Sequence, residues 1–204
     1  MKQLNTYITE YIVKKKLDKP IDFSYHYKYS PTKKEHLINN INECIDLGEY
    51  NLNVIDVSNI KDMSKLFASV NLDKIKRGSK LDISEWDVSN VEFMNYMFSG
   101  IKNYIRDVIN YKDIENWNVS NVINMSGMFD NCINFDCDLS KWDVSKVTNM
   151  GYMFADCKKF KGKDLDKWNP VNVKNVRVMF GGCDMKDKPK WYYDKYYKNK
   201  KSKT

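Results

Sequence analysis

Histidine is nearly absent from this 204-residue chain: His26 and His36 are its two examples, and both lie outside the repeats described below. The five cysteines, Cys44, Cys132, Cys137, Cys157 and Cys183, form no Cys-x-x-Cys pair, so the usual spacing of a zinc site is missing. There is no glycine-rich phosphate loop and no Ser-His-Asp or Cys-His arrangement. The expectation is therefore a protein that is not an enzyme and carries no cofactor or metal. No apolar run approaches the roughly 18 residues a membrane span needs. The opening "MKQLNTYITEYIVKKKLDKP" interrupts its apolar residues with Thr, Glu and Asn, unlike the apolar stretch of a secretory leader. These absences predict a soluble protein that is not exported by a standard signal, either cytoplasmic or virion-associated.

Large regional charge is also lacking over most of the chain, despite a formal net charge of +7. Residues 51–185 carry 18 Lys/Arg against 18 Asp/Glu, whereas residues 186–204 carry 8 against 2. A nucleic-acid partner is thus expected at most through the tail "KPKWYYDKYYKNKKSKT", where lysines alternate with aromatics able to stack on bases.

What the chain has is an internal repeat. "IDVSNIKDMSKLFASV" (55–70) is a worn copy of "WDVSNVEFMNYMFSGI" (86–101), "WNVSNVINMSGMFDNC" (117–132), "WDVSKVTNMGYMFADC" (142–157) and "WNPVNVKNVRVMFGGC" (168–183). With Ile55 and the four tryptophans as position 0, the spacings are 31, 31, 25 and 26 residues. The longer intervals hold insertions around "NLDKIKRGSK" and "NYIRDVINYK", which map to loops on one side of a repeat array. An aliphatic residue at −3 and a valine at +2 give L-x-x-W-x-V, the frame of a short leucine-rich-repeat strand with Trp replacing the middle leucine. Serines 58, 89, 120 and 145 at +3 are helix-capping types, and Glu92 completes a Ser-x-x-Glu capping box. Apolar residues then recur at +5, +8, +11 and +12, as in Val91, Met94, Met97 and Phe98, which predicts one face of a short helix. Position +15 reads Val70, Ile101, Cys132, Cys157 and Cys183. This makes the cysteines small buried groups, or disulfide partners in an oxidising compartment. Tyr104, Phe135 and Phe160 at +18 close the inner set.

One such unit cannot bury its apolar side alone, so units must pack on one another and need caps at both ends. "SPTKKEHLINNINECIDLG" offers a capping box of Thr32 and Glu35. It continues with a face of Leu37, Ile38, Ile41, Cys44 and Ile45, and stops at Gly48. At the other end Trp191 with Tyr192 or Tyr193 covers the final unit, which departs from the pattern at Pro170 and Val171. The expected organisation is an N-terminal helical segment and cap over 1–50, repeats over 51–185, and a C-terminal cap with a basic tail over 186–204. A helix carrying Leu4, Tyr7, Ile8, Tyr11 and Ile12 either folds back on the cap or docks to a partner.

"DLSKWDVSKVTNMGYMFADCKKF" resembles the tandem unit of the BspA-like leucine-rich-repeat surface protein family, which also occurs in mycoplasma lipoproteins. The lead-in "YSPTKKEHLINNI" and the exit "CDMKDKPKW" extend the likeness over residues 29 to 191. The resemblance implies an α/β solenoid. Its form would be a right-handed leucine-rich-repeat-like stack of about five coils, with short parallel strands, short helices and a helical N-terminal cap. It also implies a binding role, in adhesion or protein–protein contact. The opening "MKQLNTYITEYI" is similar to the first residues of small proteins encoded by phages of gut bacteria.

In such a stack, positions flanking the buried strand form ladders on a common surface. Glu85, Asn116, Lys141 and Lys167 at −1, with Asp87, Asn118, Asp143 and Asn169 at +1, are the candidate interaction surface. A second Asx ladder at −4 holds Asn51, Asp82, Asp113, Asp138 and Asp164. Asx residues at such corners bond backbone N–H groups, or form an acidic docking strip or a calcium site. The function expected from these features is non-catalytic recognition of another protein. The alternatives are a structural part of a virion or surface layer, and nucleic-acid association through the tail.

Overall fold

A computed structural model describes residues 27–99, 108–112 and 114–201. The helix expected to carry Leu4, Tyr7, Ile8, Tyr11 and Ile12, together with Ile101, Tyr104 and Asp113, falls outside these residues. The lead-in helix forms as α1 (Lys34–Asp46), burying Leu37, Ile41, Cys44 and Ile45. It ends at Gly48 in a left-handed conformation, φ 72°. The Gly48 N–H donates to the Ile45 carbonyl (3.0 Å) and the Glu49 N–H to that of Cys44 (2.8 Å), the bond pair that satisfies the last carbonyls of a helix. The Thr32–Glu35 box does not form; Lys33 is the N-cap and makes no side-chain capping bond.

The expected right-handed leucine-rich-repeat-like solenoid of about five coils with strands and helices is overturned. Regular structure among the described residues is α1, α2 (Lys190–Lys201) and one open sheet in which β1 (Leu81–Asp82) pairs parallel with β2 (Ile109–Asn110). The L-x-x-W frame is not a strand. In every repeat the N–H at position 0 donates to the −3 carbonyl, as Trp142 does to Leu139 at 3.1 Å, and three copies are short 3-10 turns.

The Val-Met-Met/Phe stretch is not a helix either, because position +10 is left-handed in all five repeats. Lys65, Tyr96, Gly127, Tyr152 and Val178 have φ between 54° and 59°, which a right-handed helix cannot contain. The stretch is instead a run of turns closed from residue i+3 back to residue i. Val147 donates to Val144 at 3.0 Å and Met153 to Met150 at 3.2 Å. A chain of such turns places apolar residues three apart, which a helix also does.

Neighbouring repeats meet side by side at position +7. Isolated parallel bridges join Asp62 to Phe93, Phe93 to Asn124, Asn124 to Asn149 and Asn149 to Asn175. Around them the N–H groups at +8, +10 and +12 donate to the +7, +9 and +11 carbonyls of the following repeat. Met150, Tyr152 and Phe154 reach Asn175, Arg177 and Met179 in this way at 2.8–2.9 Å. Behind this ladder the core is the inward set read from the sequence: Val91, Met94, Met97 and Phe98 and their equivalents are all fully buried. Phe67, Phe98, Phe129, Phe154 and Phe180 stack in succession, with centroids 5.3–5.7 Å apart and planes within 13° of parallel. Each of the four tryptophans at position 0 lies beside the phenylalanine of the preceding repeat at 6.2–6.4 Å.

The end of the array is covered by α2. Tyr192 is buried edge-on against Phe180 at 5.1 Å, and Trp191 stacks on Trp168 at 6.1 Å. Tyr193 stays exposed.

Candidate functional site

The eight residues at −1 and +1 are all exposed, and much of their polar capacity is used locally. Asp87, Asn118 and Asp143 accept the N–H of the serine two residues on, at 3.0, 3.2 and 3.0 Å. The Ser145 N–H, with its hydroxyl, holds the Asp143 carboxyl below the usual range. Lys141 donates to Asn116 at 3.2 Å, and Lys167 pairs with Asp164 at 2.9 Å. The Glu85 N–H donates to the Asn53 side chain at 2.9 Å, and the Asn169 carbonyl accepts from the Val171 N–H, also at 2.9 Å. Asp138 of the −4 ladder takes the Ser140 N–H at 3.0 Å. The Ser140 hydroxyl and N–H and the Lys163 ammonium hold its carboxyl down to about 2. Asp56, Asp87, Asn118 and Asp143 at +1, and Asn51, Asp82 and Asp138 at −4, thus act as turn braces, while Asn169 contributes its backbone carbonyl.

Two further ladders went unread in the sequence. Asn90, Asn121 and Asn172 at +4 each donate a side-chain N–H to the +3 carbonyl of the preceding repeat, at 2.7–2.8 Å. Asp62, Asn124, Asn149 and Asn175 at +7 each accept the N–H at +9, at 2.7–3.0 Å. The second repeat breaks this rule, since its +7 residue is Phe93. The Asn95 N–H then has no acceptor among the described residues, and Phe93 is 39% exposed. Beside it Ile123, at +6 of the next repeat, is 36% exposed, and its N–H donates to the Glu92 carbonyl at 2.8 Å. Phe93 was visible in the sequence as the one non-Asx residue of the five at +7.

Three of the cysteines at +15 bond the repeat before them. Cys132, Cys157 and Cys183 donate to the +12 carbonyls of Phe98, Phe129 and Phe154 in the repeat before, at 3.5, 2.9 and 2.8 Å, and all five cysteines are free thiols. Burial pushes the Cys132 thiol up to about 12 and that of Cys157 further still. Cys137 borders an open cleft of about 440 Å³ lined also by Lys80, Tyr111, Glu115 and Lys159. Its thiol is likewise raised by burial to about 12. Among the described residues no three His, Cys, Asp or Glu side chains gather as a metal site, and no helix is long and apolar enough to cross a membrane.

Repeats that interlock through such position-specific bonds define a tandem-repeat protein. The model of a family described as "Mycoplasma protein of unknown function, DUF285" matches residues 35–112 and again 106–201, and the chain belongs to that family. No curated protein and no solved structure matches the chain.

Proposed function

We propose that this chain is a non-catalytic module that recognises another protein through the exposed face of its repeat ladder, centred on Phe93 and Ile123. The observation that carries this reading is the exchange at Phe93. Four repeats place a bracing Asx at +7, whereas the second forgoes that bond, leaves the Asn95 N–H without an acceptor among the described residues, and presents an aromatic ring to solvent. A broken local rule with no gain in packing is the mark of a residue kept for contact, and exposed aromatics anchor protein interfaces. The strip of Glu85, Asp87, Asn116, Asn118, Lys141, Asp143, Lys167 and Asn169 supplies a polar surface for a second set of contacts. Kinship with BspA-like repeat proteins, beyond the family shown, supports the same role.

Phe93→Asn restores the brace to the Asn95 N–H. It is expected to hold or raise stability by ~0.5 kcal/mol while reducing recovery of the partner from native lysate. Ile123→Thr, which copies Thr148 of the next repeat, is expected to act likewise. Reversing the charges of Glu85, Asp87, Lys141 and Asp143 tests the strip. Recovery unchanged in all three variants would remove the proposal.

A further inference from the structure

Apart from Asp194 and Asn199, helix α2 consists of lysine and aromatic residues, and it has no aliphatic side chain. Its inward residues are committed to the array. Trp191 stacks on Trp168 and its indole N–H donates to the Leu165 carbonyl at 2.8 Å, while Tyr192 lies edge-on to Phe180. The Lys190 N–H donates to the Asp166 carboxylate at 2.8 Å and the Lys195 ammonium to the Val171 carbonyl at 3.0 Å, so the helix is pinned through its first turns. Facing outward are Tyr193, 43% exposed, and Tyr196, 36% exposed. Buried Tyr192 buttresses both rings: Tyr196 stacks on it at 5.9 Å, and Tyr193 meets it edge-on at 5.8 Å. Three residues apart on a helix, the two tyrosines share one side and lie ~4.5 Å apart along the axis.

The charge around these rings is positive. Residues 186–204 hold 8 lysines against Asp187 and Asp194. Lys190 is exposed, and the Lys195 ammonium is bonded to a carbonyl rather than a carboxylate. Among the acids nearby, Asp166 accepts the Lys190 N–H, and Asp184, Asp187 and Asp194 are exposed, which leaves the cations in excess. Exposed rings set among ammonium groups are what single-stranded nucleic acid bonds, its bases stacking on the rings and its phosphates pairing with the cations. A lipid surface calls for an apolar face to insert, and a helix laid into a protein groove calls for apolar anchors. The apolar groups of α2, Trp191 and Tyr192, are already packed on the array. We infer that the outward face of α2 binds single-stranded nucleic acid without sequence preference. Tyr193 and Tyr196 stack on bases, and Lys190 and Lys195 lie where phosphates pass. This surface belongs to the end of the array, whereas Phe93 belongs to its second repeat, so it does not rest on the protein-recognition reading.

The test is fluorescence anisotropy of the full chain with labelled single-stranded oligothymidylate, beside inorganic polyphosphate as a polyanion without bases and phosphatidylserine vesicles as an anionic surface. Oligothymidylate is expected to bind more tightly than polyphosphate, with log Kd rising linearly in log salt at about 0.7 for each phosphate contacted. Tyr193→Ser, at an exposed position, is expected to weaken oligothymidylate on the order of tenfold while leaving polyphosphate binding and the melting temperature unchanged. Tyr193→Phe, which keeps the ring, should bind as the parent does. Polyphosphate bound as tightly as oligothymidylate would reduce the site to a cationic surface, and vesicles bound in preference would make it a lipid surface. Either result overturns the inference, as does an absence of oligothymidylate binding at low salt or full binding by Tyr193→Ser.

Discussion

The indole N–H of Trp142 donates to the carbonyl of Ile114, 2.9 Å away in the preceding repeat. Trp86, Trp168 and Trp191 make the same bond to Leu52, Leu139 and Leu165 at 2.8–3.0 Å, so α2 enters the array on the terms of a repeat. Trp117 is the exception, a buried indole whose N–H has no partner among the described residues. Trp142→Phe leaves the Ile114 carbonyl without this donor and should cost about 2–4 kcal/mol. Trp117→Phe should cost at least ~1 kcal/mol less, because it removes an unsatisfied donor. Urea unfolding of the two variants side by side measures the difference.

Gly127 sits directly beneath the Tyr96 ring of the repeat before it, and a Cβ there would collide with that ring. Tyrosine and valine occupy the same left-handed position elsewhere, so the ring, rather than φ alone, fixes glycine here. Gly127→Ala is expected to destabilise by roughly 1–3 kcal/mol. Adding Tyr96→Ala should recover part of that loss, read as a coupling in a double-mutant cycle.

Met150 is completely buried between its neighbours in the core. Met150→Asp puts a carboxyl where no donor waits and should cost several kcal/mol. Calorimetry is expected to show a large fall in melting temperature or loss of the cooperative transition.

Asp62 ties the first repeat to α1. Partial burial disfavours its charged form, but the Lys34 ammonium and the Ser64 hydroxyl and N–H outweigh that and hold its carboxyl below the ordinary aspartate value of 3.8. A carboxyl depressed by folding stabilises the protein above its unfolded pKa. That contribution is lost as pH falls through the folded value. An NMR titration should therefore find Asp62 ionising below 3.8. In Lys34→Met the midpoint should rise, and stability should depend less on pH in the acid range.

The buried side chains were legible in the sequence, while the backbone that carries them was not. The face of α1, its stop at Gly48, the inward Val-Met-Met/Phe set and the burial of Phe135 and Phe160 follow from apolar spacing and one glycine. The secondary structure of the repeat did not, because turns closed over three residues space side chains much as a helix does. The deciding left-handed residue at +10 is lysine, tyrosine or valine in four of the five copies, types that give no warning. The serines at +3 suggested caps through their hydroxyls, yet it is chiefly their N–H groups, taken by Asx at +1, that brace the turn. The Asx ladders were visible, and the backbone-bracing role weighed for them holds at +1 for Asp56, Asp87, Asn118 and Asp143. The exposed Phe93 needed the +7 ladder to be recognised before its difference could be noticed.

The polarity of the inter-repeat bonds bears on how such a chain changes length. Every interior unit gives and takes the same set of bonds with the one before and the one after, so duplicating or deleting a whole unit rejoins matching partners on both sides. The array can therefore be extended or shortened in register, with the α1-sealed start and the α2-covered finish unaltered, and what a variant of different size would gain or lose is lateral surface.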